Sequence, residues 1–106
     1  EASRFADAAR AFDAAARLFA AQGAASDELT MQLLQIESLA RAGSLARARE
    51  LLSGVAVAVK SLGAVDPDLL TSLESALQGD IPDVDLVQTL RGRAQEQIAE
   101  RLRIAV

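Results

Sequence analysis

The chain contains no cysteine, histidine, tryptophan, tyrosine or asparagine. Each absence closes a class of chemistry. Without cysteine there is no disulfide framework and no thiol nucleophile, and the chain is indifferent to its redox compartment. Without histidine as well, zinc sites built on either residue and imidazole acid–base catalysis are excluded. Positive charge is not in excess: the net charge is −4. A protein that tracks phosphates carries a basic patch or stripe, and none stands out here, so no nucleic-acid partner is expected. No apolar run reaches 18 residues, which argues against a membrane-spanning helix and a membrane partner. Arg4, Asp7, Arg10 and Asp13 interrupt the apolar residues at the start, so that stretch does not read as a signal peptide. The cytoplasm is the default location. A start at Glu1 rather than Met is expected of a segment of a longer chain.

What the sequence does hold is alanine and leucine, 23 and 16 of its 106 residues. Both favour helix, and 51% hydrophobic content is far too high for a disordered segment. A chain of this length buries a real core without disulfides or metals. The expectation is one all-α domain over residues 1–106.

The periodicity predicts five helices. The first covers 3–22, where Phe5, Phe12 and Phe19 fall within about 40° on a helical wheel and form a core stripe. Ala8, Ala9, Ala15 and Ala16 flank it, a smooth surface for close helix approach. Gly23 is a left-handed cap. The second helix covers 27–42, capped by Ser26 or Asp27, with Leu29, Leu33, Ile36 and Ala40 on one face. Gly43 closes it, and Ser44 caps a third helix over 45–62 after a very short connection, which makes an antiparallel hairpin. The third helix buries Leu45, Ala48, Leu52, Val55, Val59 and Leu62. Its segment Gly54–Val59 alternates like a strand, but no second strand pattern exists to pair with it. Asp66-Pro67 starts a fourth helix over 67–78. Asp83 opens a fifth over 83–104, with Val87, Leu90, Ala94, Ile98 and Leu102 inward and Gly92 in its interior.

Shifting the chain by 40 residues places Ala8 on Ala48, Phe12 on Leu52, Phe19 on Val59 and Gly23 on Gly63. A shift of 36 places Leu33 on Leu69, Ala40 on Ala76 and Gly43 on Gly79. In the segment from Leu33 to Gly63, a turn glycine (Gly43) is followed five residues later by Ala48 and nine later by Leu52. That segment resembles a tetratricopeptide-like helical repeat, of the degenerate kind found in large bacterial regulator proteins. Gln32, Ile36 and Lys60 depart from that family's pattern, as do Val84 and Gln88 in the following hairpin. The resemblance implies stacked helical hairpins in a right-handed order. It also implies that a strip on the second helix, Glu28, Gln32, Gln35 and Leu39, faces a peptide partner. Met31 and Leu34 fall away from the Leu29–Ile36 face, as does Val57 on the third helix. They read either as sides of a helix buried twice, as inside a stack, or as a contact surface, and on the second reading Met31 joins this candidate binding set.

Catalytic constellations are poor. Asp66, Asp68, Asp80, Asp83 and Asp85 lie close in sequence, but a calcium loop needs a bidentate Glu and a turn Gly at fixed offsets. The aspartates read as helix caps. The glycines are spaced as punctuation and form no phosphate loop. Ser44, Ser53 and Ser61 have no histidine base, and Lys60 is the sole lysine. The last helix balances Arg91, Arg93, Arg101 and Arg103 against Asp83, Asp85, Glu96 and Glu100. The expected protein has no catalytic residue, no cofactor and no metal, and works as a protein–protein interaction module. The alternative is a self-associating bundle, a homodimer or docking element of a multi-enzyme system. A small-molecule carrier is a third class.

Overall fold

A computed structural model describes residues 2–104, with side chains from Ser3 to Leu102. Five helices follow one another: α1 (Ala2–Ala21), α2 (Ala25–Arg41), α3 (Leu45–Leu62), α4 (Pro67–Ala76) and α5 (Val84–Ile104). The described residues contain no strand. The alternating segment Gly54–Val59 is helical, and its odd valine, Val57, simply points outward at 71% exposure.

The short loops follow from glycine. At Gly23 (φ 71°) and Gly43 (φ 84°) the chain turns left-handed, which costs an L-residue roughly 1–2 kcal/mol. Each turn carries the same pair of bonds. The Ala24 amide reaches the Phe19 carbonyl and the Gly23 amide that of Ala20. The Ser44 amide reaches Leu39 and the Gly43 amide Ala40. This paired arrangement satisfies carbonyls that a helix end leaves open.

The caps differ from expectation. The second helix begins at Ala25, so Ser26 and Asp27 lie in its first turn, where Asp27 still suits the positive end of the dipole. Ser44 and Asp66 occupy N-cap positions, yet neither side chain makes a capping bond. Asp83 does cap: its Oδ1 accepts the Leu86 amide at 3.1 Å. The fourth helix ends at Ala76, two residues short of the expected limit, and Leu77 closes it fully buried.

The second helix is the hub. It packs against α1, α3 and α5, while α4 bridges α3 and α5. A regular stack of successive hairpins would set α2 beside α4; here it sits beside α5. The core gathers Leu33, Ile36, Leu52, Leu70, Leu73 and Ile98, each exposed by less than 2%. The Cα radius of gyration, 12.9 Å, is that of a close-packed globule of this length.

The first helix packs only on α2, and the contact is not the phenylalanine stripe. Ala9 and Ala16 are the buried residues, at 4% each, while Phe5, Phe12 and Phe19 are half-buried. The buried face is rotated by about 50° from the expected one. Alanine lets the two backbones close together, which leaves the larger rings at the edge of the seam. There Phe5 carries the Arg41 guanidinium 5.6 Å from its ring centroid. The inward face of α3 is also trimmed: Leu45 is half-buried and Leu62 is 49% exposed.

Ion pairs fasten the elements. The Glu37 carboxylate accepts Arg41 Nε at 3.1 Å and Arg91 Nε at 2.8 Å, tying α2 to α5. Arg49 donates to the carbonyls of Leu77 (2.8 Å) and Gly79 (2.7 Å), tying α3 to the end of α4 through backbone oxygens. Arg101 pairs with Asp66 at 2.6 Å. Arg93 makes none of these bonds, and the side chain of Arg103 lies outside the described residues.

Candidate docking groove

The turn at Gly43 folds α3 back along α2, and the two helices do not close against each other along their outer edge. An open groove of about 580 Å³ runs between them. Its α2 side is formed by Ala25, Glu28, Leu29, Gln32, Gln35 and Leu39, a succession of three- and four-residue steps that keeps one helix face turned to the groove. Its α3 side comprises Arg47, Glu50, Leu51, Gly54, Val55, Ala58 and Leu62. Small residues hold the middle of the α3 side open: a Cβ built on Gly54 would meet nothing within 4 Å.

A smaller hollow of about 250 Å³ adjoins it, between α1 and the α2–α3 turn, lined by Ala9, Asp13, Arg17 and Ser44 among others. Gln35, Leu39 and Arg47 belong to both. The two hollows therefore make one surface, with α2 as floor and α1 and α3 as flanks.

Of the five residues expected to meet a partner, Glu28, Gln32, Gln35 and Leu39 line this groove, and Met31 does not. Met31 sits half-buried on another side of α2, because that helix has neighbours on three sides and little free face. Leu39 and Gln35 are buried, so they form the floor rather than an exposed strip. Sequence reasoning missed the opposing wall. Gly54 carried a signal: a helix-interior glycine that no internal packing requires.

The charges are laid out lengthwise. Arg47 lies at the end near the Gly43 turn and Glu28 near the start of α2. Arg47 is in none of the ion pairs of the described residues, whereas Arg10 and Arg17 on the α1 flank are engaged with Asp7 and Asp13. The groove offers apolar surface, amide groups and three charged side chains, Glu28 toward one end and Arg47 with Glu50 toward the other. It offers no nucleophile–base pair, and among the described residues no group of three acidic, histidine or cysteine side chains gathers to hold a metal. No described helix is long and apolar enough to cross a membrane.

The comparisons with family models, with curated proteins and with solved structures found no match to this chain.

Proposed function

We propose that this helical domain is a non-catalytic protein-interaction module, acting in the cytoplasm, that seats a segment of a partner protein in the α2–α3 groove. The single observation that carries the reading is the groove itself. It has the volume of a ligand-binding cleft, an apolar floor with a few polar groups, and walls on rigid helices. Its mechanism is display of shape and charge, with no chemistry of its own. The tetratricopeptide-like resemblance around Gly43, and with it a place within a larger bacterial regulator, belongs to the same proposal.

A second reading has its own observation. Val57 leaves an apolar side chain 71% exposed on the outer side of α3, and Leu62, at the groove, is 49% exposed. Such a surface also suits a second copy of the chain, giving a self-associating or docking bundle.

Light scattering after size exclusion, over a concentration series, separates the two. The module reading expects a mass near 11.1 kDa at all concentrations. It also expects a photo-crosslinking residue at Gln32 to capture a partner that one at Glu74, on α4, does not. A stable dimer whose crosslinks from position 32 join two copies sets the module reading aside in favour of self-association.

A further inference from the structure

We draw no further inference here: the strongest candidate, the hollow of about 250 Å³ between α1 and the α2–α3 turn, where Arg10, Arg17, Arg47 and Ser44 lie near the start of α3, carries nothing, because Arg10 and Arg17 are already paired with Asp7 and Asp13, the Gln35 amide meets solvent, and nothing beyond the helix N-terminus itself points to a ligand there.

Discussion

The Glu37 carboxylate stands 2.8 Å from Arg91 Nε across 54 residues of sequence, and the same carboxylate accepts Arg41 Nε from its own helix. All three side chains are about a fifth exposed or less. One negative group therefore neutralises two guanidiniums in a partly dry seam, and Gln88 and Gln95 accept bonds from their other nitrogens. E37A should lower the unfolding free energy by about 2 kcal/mol, because it strands two cations. R91A should cost about half as much, since Glu37 keeps Arg41. Urea midpoints at unchanged slope measure both, and equal losses would contradict this asymmetry.

The two kinds of glycine should respond oppositely to alanine. Gly92 sits inside α5 with open space where its Cβ would go, so G92A should stabilise by about 0.5–1 kcal/mol. Gly43 turns the chain at φ 84°, so G43A should destabilise by about 1 kcal/mol despite equally open space. Thermal unfolding of the two variants side by side reads the sign directly.

Asp66 gives the fold an acid-sensitive contact. The hydrogen bond from Arg101 holds the Asp66 carboxyl below its ordinary value against an opposing desolvation, and the Arg101 charge and a hydrogen bond from Gln97 add to the lowering. A carboxyl lowered in the folded state adds stability that is fully present above its unfolded value of about 3.9. That stability is lost as pH falls through the lower folded value. The difference in urea midpoint between the wild type and D66N should therefore be constant from pH 7 to pH 5 and shrink as pH drops below about 3.9. A difference that grows on acidification would reverse the sign.

The seam between α1 and α2 should tolerate no bulk. Ala16 is 4% exposed where the two backbones meet, and A16L should cost about 1–3 kcal/mol by overpacking. Since α1 packs on α2 alone, native-state hydrogen exchange should show its amides opening early while those around Leu73 and Ile98 stay protected. Uniform loss of protection across all five helices would show that α1 opens only with the whole.

Local chemistry was legible in the sequence, and long-range pairing was not. The turns at Gly23 and Gly43 could be read because the conformation they require is a property of one residue. Asp66 before Pro67 marked a helix start correctly, but its carboxylate turned to Arg101, 35 residues away, where no local pattern points. The phenylalanine stripe misled for a related reason. Its spacing identified the right side of α1, yet closeness of approach is set by the smallest residues, Ala9 and Ala16. The groove was half visible. The polar strip on α2 has helical spacing, but its facing wall, Arg47 included, depends on how α3 folds back.

The contact between α2 and α5 has a consequence in time. A ribosome releases Arg41 long before Arg91, and at roughly 5–20 residues per second those 50 intervening positions occupy about 3–10 s. During that interval α1 and α3 can assemble on the hub, because both are its neighbours in sequence. The side of α2 that meets α5 has no permanent cover until the last helix emerges. The nascent chain thus carries a transient sticky face, and translation speed through the stretch from α3 to α5 governs how long chaperones or other nascent chains can reach it.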